Sequence, residues 1–434
     1  MPHLTLKKIK NKKAKIGVIG LGYVGLPLAM AFAEKGFTVL GIDSDPSKIS
    51  GLNKGVSHVM DVPSPTVRRF LKSRRFKAAG DYKGVSALDA MIICVPTPLN
   101  KTKKPDISFI LAAVGEIAPR LKKGQLLVLE STTYPGTTEE VVLPALEAGG
   151  LKVEKDFYLA FSPERIDPGN KQFNTVSIPK VVGGVGPDSL AAAKSLYGSI
   201  IANIVEVSSA KTAEMVKLLE NTFRSVNIGL INEITMMSHR LGIDIWEVIE
   251  AAKTKPFGFM PFYPGPGLGG HCLPIDPLYL SWKSRLHGYE AKMIELASSI
   301  NEMMPHYVVE RITDLLNRKA IPLKKAAILV VGAAYKRNVD DLRESPALQV
   351  IEELLRRGSR VTYTDPFIPF LSAGGLRLRS EKLSPSLLKK QQCVVVLTDH
   401  DAFDYAMVVK HSKTILDTRN ILRRFSPKPH LFFL

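Results

Sequence analysis

The sequence predicts an α/β chain of two Rossmann-like doubly wound parallel-sheet domains joined by a long-helix central domain. Three observations carry this. Short apolar runs alternate with helical stretches over roughly the first 200 residues. Helical periodicity without strands then runs from about Ser209 to Leu315, and the strand–helix rhythm restarts at Ala327. At 434 residues the chain exceeds one ordinary core. The expected domains are residues 1–206, 207–318 and 319–434.

Lys15 to Gly20 reads as a buried strand, Leu26 to Lys35 as a helix and Thr38 to Asp43 as a second strand. Further strands are expected at Met91–Val95, Leu126–Glu130, Tyr158–Phe161 and Val181–Gly184. Between the first strand and its helix lies Gly20-Leu21-Gly22-Tyr23-Val24-Gly25, a G-x-G-x-x-G turn, and Asp43 ends the next strand. That context marks a dinucleotide site. Gly20 permits the tight turn, Gly22 lets backbone N–H groups reach a pyrophosphate, and Gly25 lets helix and strand pack closely. Asp43 accepts from both ribose hydroxyls and repels a 2′-phosphate, which favours NAD over NADP; Lys48 nearby blunts that preference.

In the central region Val216, Leu219, Phe223, Val226 and Leu230 step by three and four as one apolar stripe, while Lys217, Asn221 and Arg224 fall on the nearly opposite one. Helical spacing continues through Ile245–Ala252 and Ala291–Leu315. In the last region Ala327–Gly332 and Val361–Asp365 read as strands around a helix at Pro346–Arg357, with later strands at Cys393–Thr398 and Thr414–Asp417.

The run Pro264 to Pro277 holds four glycines and four prolines around Cys272. Such a run builds a fixed loop that a ligand can approach closely. Together with a nicotinamide cofactor, a thiol points to oxidation past the aldehyde: thiolate addition gives a hemithioacetal, a second oxidation a thioester, and water hydrolyses it. A lysine such as Lys217 stabilises the oxyanion, and the amide and carboxylate of Asn221 and Asp276 hold water. Read on their own, Lys217 and Asn221 are more commonly a solvated polar helix face.

Composition excludes several classes. Three dispersed cysteines (Cys94, Cys272, Cys393) argue against a disulfide framework and against a zinc site. No metal is expected, and no apolar run is long enough to insert in a membrane. Met1 to Lys15 lacks the apolar core of a secretory signal, so the expected setting is cytoplasmic. The net charge is +18, with lysines clustered between Lys7 and Lys15. No nucleic-acid-binding pattern accompanies them, so they read as a solvated tail. A basic nucleic-acid binder that kept an NAD fold, and a two-electron hydroxy-acid dehydrogenase, stay as alternatives.

Over nearly its whole length the chain resembles the nucleotide-sugar 6-dehydrogenases, the UDP-glucose/GDP-mannose dehydrogenase group. The resemblance rests on Gly20–Gly25, Val95-Pro96-Thr97-Pro98, Glu130-Ser131-Thr132, Ser162-Pro163-Glu164, Glu214–Asn221, Gly267–Asp276, and Gly332–Lys336 through Asp341–Pro346. It implies oxidation of a UDP-sugar C6 alcohol to a carboxylate with two NAD, and a homodimer through the central helices. It further implies Cys272 as nucleophile, Lys217 as oxyanion partner, Asn221 and Asp276 as water holders, and Glu164 and Thr132 beside the hydrolysis step. Tyr23, Val24, Thr97, Thr132 and Arg343 are then expected beside the cofactor with Gly20, Gly22, Gly25, Asp43 and Lys48. Lys336 and Arg419 are expected on the nucleotide half of the substrate, and Phe262, Tyr263, Gly267 and Gly269 along the sugar and diphosphate. The run Glu164-Arg165-Ile166-Asp167-Pro168-Gly169-Asn170 resembles the branch acting on UDP-N-acetylhexosamines, UDP-N-acetylglucosamine in particular. There Arg165 is a candidate for the acetamido group or the new carboxylate, in a pathway to surface polysaccharide precursors. UDP-N-acetylmannosamine and UDP-glucose remain open.

Overall fold

A computed structural model describes residues 2–100, 104–166, 176–270, 272–372, 375 and 377–434. The readings placed on Asp167–Asn170 and His271 lie outside the described residues. The chain forms two compact units, Met1–Glu220 with Trp282–Gly288, and Asn221–Ser281 with Tyr289–Leu434.

Unit 1 is built on β1 (Lys15–Ile19), β2 (Thr38–Ile42), β3 (Phe76–Ala79), β4 (Ala90–Ile93), β5 (Leu126–Leu129), β6 (Tyr158–Phe161), β7 (Lys180–Gly184) and β8 (Ile204–Val207). They form one sheet ordered β3-β2-β1-β4-β5-β6-β7-β8. Strands β4 to β7 are buried at every residue, as strands covered on both faces are, which is why they read as unbroken apolar runs. Helices α1 (Pro2–Lys10), α2 (Gly25–Glu34), α3 (Pro46–Asn53), α4 (Ser64–Lys72), α5 (Ser108–Ile117), α6 (Leu143–Glu147) and α7 (Pro187–Gly198) accompany it. The strand order reverses between β1 and β4, opening a crevice at their C-terminal ends.

Two features depart from the sequence reading. The β6–β7 pair is antiparallel, with Ala160 opposite Gly184. The described part of its connection carries no helix, and a parallel return needs a crossover. The N-terminal lysines are not a loose tail either. Lys7, Lys8 and Lys10 lie on α1, which buries Ile9 and packs on α7. Thr5 Oγ1 donates to Gly124 O at 2.5 Å and Lys8 pairs with Asp89 at 2.5 Å.

Two helices, α8 (Ala210–Leu241) and α10 (Asp276–Leu286), carry residues of both units. Unit 2 also holds α9 (Ile245–Ala252) and α11 (Lys292–Asn317). Its sheet has β9 (Ala327–Val331), β10 (Arg360–Thr364), β13 (Cys393–Val396), β14 (Ile415–Asp417) and β15 (Leu431–Phe433), with a two-stranded ribbon of β11 (Phe370–Leu371) and β12 (Leu378–Arg379). The order is β10-β9-β13-β14-β15, parallel throughout. Helices α12 (Pro346–Arg356), α13 (Pro385–Lys390) and α14 (Tyr405–His411) complete it. No helix among the described residues is long and apolar enough to cross a membrane.

The stripes of α8 are inverted relative to the usual amphipathic rule. Of the expected apolar stripe Leu219, Phe223 and Leu230 are exposed, as are Met237 and Leu241 further along, while Val216 and Val226 are half-buried. The buried side instead carries Glu214, Lys217, Asn221, Ser225, Asn232, Thr235 and Ser238. Arg224, expected beside Lys217 and Asn221, is exposed. Close approach explains the choice in unit 2. A Cβ on Gly229 would lie 3.0 Å from Ala297 Cβ, so α8 and α11 meet at small residues and fill the seam with hydrogen bonds. Asn232 Nδ2 donates to Asn301 Oδ1 at 2.9 Å, and Asn301 Nδ2 donates to Ser225 O at 3.1 Å.

Candidate active site

The turn between β1 and α2 is shaped by its glycines. Gly20 has φ 92°, and a Cβ there would lie 2.5 Å from Cys94 O. A Cβ on Gly25 would lie 1.8 Å from Gly20 O, whereas one on Gly22 would meet nothing within 4 Å. Gly20 and Gly25 therefore serve the fold, and Gly22 leaves open space over the backbone. No side chain caps α2 at Val24, which leaves the positive end of the helix for an anion. Tyr23 is exposed beside it.

Asp43 is buried, accepting from Leu21 N at 2.8 Å and Asp45 N at 3.0 Å, with Lys48 Nζ 3.6 Å from Oδ2. A carboxylate offers about four lone-pair sites, so capacity remains for ribose hydroxyls. A cradle that a side chain at position 22 would fill, an uncapped helix end and a held carboxylate fit a dinucleotide. Thr97 follows β4 and Thr132 follows β5, both half-buried. Ser131 Oγ ties their two loops by donating to Val95 O at 2.8 Å.

Glu214 fastens the next stretch. Its carboxylate accepts from Gly136 N at 2.5 Å, Thr138 N at 2.9 Å and Thr138 Oγ1 at 2.7 Å, one turn before the buried Lys217. Burial, opposed by these bonds, pushes Glu214 up to about 7. Glu164 lies just beyond β6 and is buried. Arg165, beside it, is held by Glu220 through Nη2 at 2.5 Å and Nε at 3.2 Å, and donates to Pro179 O at 2.9 Å.

In unit 2, Cys272 is exposed in the turn that opens α10, and its carbonyl accepts from Ile275 N at 3.2 Å and Asp276 N at 2.9 Å. The positive end of a helix favours negative charge at such a place. Asn221 Nδ2 donates to the buried Asp276 carboxylate. The preceding loop is tied down along its length. Gly265 N donates to Asn232 Oδ1 at 3.1 Å, and Gly270 N to Arg343 O at 3.1 Å. A Cβ on Gly269 would lie 2.7 Å from Tyr335 Cβ, and Gly267 has φ 126°. Phe262 meets Phe223 edge-on, and Tyr263 stacks on Trp246 while its hydroxyl reaches Glu250 at 3.0 Å. Arg419 Nε donates to Leu397 O at 2.7 Å, with Nη1 2.9 Å from where a Gly265 Cβ would stand. Lys336 is half-buried, and the exposed Arg343 pairs with Asp341 at 2.6 Å.

Thus Asn221, Cys272, Asp276, Arg419 and the glycine loop come together in unit 2, while Thr132, Glu164, Arg165 and Lys217 belong to unit 1. Sequence reasoning named Glu130 only within a motif and missed Lys180, which bridges Glu130 and Glu164, and the Asn232–Asn301 seam. A lysine heading the buried run Lys180–Gly184 was the available signal. Among the described residues no cluster of His, Cys, Asp and Glu suits a metal ion.

Comparison with known proteins identifies the family. Residues 14–201 match the NAD binding domain of the UDP-glucose/GDP-mannose dehydrogenase family, 211–303 its central domain and 329–424 its UDP binding domain. UDP-N-acetyl-D-glucosamine 6-dehydrogenase of Pseudomonas aeruginosa is 38% identical over 359 residues, 82% of this chain and 84% of that one. The structure of a UDP-D-ManNAc dehydrogenase from Pyrococcus horikoshii superposes with TM-score 0.88 at 34% identity, covering 96% of this chain and 98% of that one. A UDP-N-acetyl-mannosamine dehydrogenase from Staphylococcus aureus gives 0.83 at 34% identity, covering 97% of each. With three domain matches in order and relatives similar over most of their length, the chain belongs to the UDP-glucose/GDP-mannose dehydrogenase family.

Proposed function

We propose that this NAD-dependent oxidoreductase carries out the four-electron oxidation of the C6 hydroxyl of UDP-N-acetylglucosamine to the carboxylate, in the cytoplasm, for surface polysaccharide precursors. The observation that carries the reading is the turn of Cys272, exposed at the head of α10 four residues before an Asp276 already bonded to Asn221. NAD, held by Gly20, Gly22, Gly25 and Asp43, supplies the hydride acceptor for both oxidation stages.

The chain's own groups account for the rest. The Cys272 thiolate adds to the aldehyde carbon and keeps the half-oxidised sugar attached as a hemithioacetal. After the second oxidation the same sulfur holds a thioester. Water adds to its carbon, the C–S bond breaks and the thiolate is regenerated. Lys217 supplies positive charge to the oxyanions, and Asn221 and Asp276 orient the water. Arg419 and Lys336 suit a diphosphate. The names of the Pyrococcus and Staphylococcus neighbours favour UDP-N-acetylmannosamine as the second reading.

The exposed residues Leu219, Phe223, Leu230 and Met237 on α8 support a homodimer through the central helices. The deciding experiment offers a panel of UDP-sugars with NAD and counts NADH formed per sugar consumed. Two NADH and an acid support the reading; one NADH with free aldehyde as final product overturns it. Cys272→Ser should abolish acid formation while NAD binding persists.

A further inference from the structure

Three side chains in unit 1 form a closed ionic group. Lys180 Nζ donates to Glu164 Oε2 at 2.9 Å and also to Glu130 Oε1, and all three are buried. Two carboxylates sharing one ammonium carry a net negative charge when all are ionised, and buried net charge is costly. One added proton makes the group neutral, and the two carboxyls are not equivalent hosts for it. Glu164 already accepts from Arg165 N and Ile166 N, both at 2.8 Å, besides Lys180. These three donors favour its charged form. Glu130 faces the Tyr197 hydroxyl at 3.0 Å and the Cys94 thiol at 3.9 Å. A tyrosine hydroxyl both donates and accepts, so it suits a protonated carboxyl as well as an ionised one.

We propose that Glu130 and Lys180 are positioning residues that set the charge of Glu164. Lys180 bridges both carboxyls, and the single proton that the buried trio takes up resides on Glu130, so that Glu164 stays ionised. The neighbouring ionisable groups agree. Burial, partly offset by Lys180 and reinforced by the Glu164 charge, pushes Glu130 up to about 7. Burial also pushes Glu164 upward, but the Lys180 ammonium and its hydrogen bonds bring it down to about 2. Burial lifts the Cys94 thiol and Tyr197 hydroxyl well above their ordinary range, so they stay protonated near neutrality. Glu130 is thereby the member of the cluster that titrates near neutrality.

The proposal rests on the reading of Glu164 as a group of the hydrolysis step, and its test separates the two. In wild type the acid limb of kcat against pH should follow Glu164 and lie well below neutrality, since Glu130 already holds the shared proton there. Glu130→Gln, nearly isosteric with the protonated carboxyl, should leave that limb in place. Lys180→Met leaves two carboxyls without a cation; it should move the limb up and cut kcat at neutral pH about tenfold or more. Lys180→Arg should restore both. A merely structural role of Lys180 lowers the amplitude in Lys180→Met and leaves the limb in place; that result, or a near-neutral acid limb in wild type that disappears in Glu130→Gln, overturns the proposal.

Infrared titration of the resting protein labelled with 13C-glutamate reads the proton directly. In a Glu214→Gln background, which removes the other buried glutamate raised to about 7, a protonated-carboxyl band that fades as pH rises and is missing once Glu130→Gln is added supports the assignment. Its persistence in that double variant overturns it, whether or not Lys180→Met folds. If Glu164→Gln turns over like wild type while that band behaves as expected, the catalytic reading of Glu164 falls and the assignment of the proton stands.

Discussion

Gly22→Ala and Gly25→Ala should damage the chain in different ways, and the contrast isolates the cofactor turn. At Gly25 the new Cβ would stand 1.8 Å from the Gly20 carbonyl oxygen, well inside the 3.0 Å that real Cβ atoms keep. The obstacle is backbone, so β1 or α2 has to move. Overpacking of this kind costs about 1–3 kcal/mol, and each kcal/mol lowers the unfolding midpoint by about 2–4 °C in a domain of this size. Calorimetry without cofactor should therefore show a clear fall for Gly25→Ala. At Gly22 the Cβ meets nothing within 4 Å, so the same melt should be unchanged. There the methyl occupies the space through which phosphates approach the backbone. A loss of about 1.4 kcal/mol is tenfold in Kd, and fluorescence titration with NADH should show at least that. A Gly22→Ala protein that binds NADH as tightly as wild type would refute the reasoning.

Three further outcomes follow from the geometry. Glu214 is raised to about 7 chiefly by burial, so it binds its proton more tightly folded than unfolded. Its contribution to stability is full below its ordinary 4.5 and is lost as pH rises through about 7; Glu214→Gln should flatten that slope in urea titrations, and an unaltered slope counts against the burial argument. Asn232→Ala strands Gly265 N and Asn301 Oδ1, costing about 1–3 kcal/mol; steady-state kinetics should show KM for the UDP-sugar rising more than kcat falls. Leu230→Asp with Met237→Asp on the exposed stripe of α8 should yield a monomer in sedimentation, and an unchanged mass would remove that face from the interface.

Features encoded locally were legible in the sequence. The glycine turn and Asp43 were readable because their spacing specifies one strand–turn–helix unit. In the last region β9, β10, β13 and β14 fell within a residue or two of expectation, β13 and β14 because fully buried strands write themselves as apolar runs, while β11, β12 and β15 were not expected. The inversion of α8 was not readable. Periodicity reports that two faces differ, but which one turns inward depends on the partner, here the close approach at Gly229 and the Asn232–Asn301 bonds. The pairing of Glu130 with Lys180 was equally hidden, since they lie 50 positions apart and only the sheet order brings them together. The reversal at β7 depends on a connection whose composition does not announce its direction.

The second sheet repeats the first with one difference that bears on turnover. At the end of β10, where Asp43 stands at the end of β2, Asp365 receives Ala333 N, Ala334 N and His400 on one oxygen and Phe367 N and Ile368 N on the other. Five donors saturate it, whereas Asp43 has only two backbone donors on its oxygens. The repeat has closed its own ribose position from within. Under the four-electron reading, one slot must then serve both oxidations in succession. The protein has to keep hold of a half-finished sugar while that slot is emptied and refilled. A covalent bond to sulfur is then a tether as much as a chemical activation, and the residence time of the tether, rather than the affinity for free aldehyde, governs how rarely the intermediate escapes.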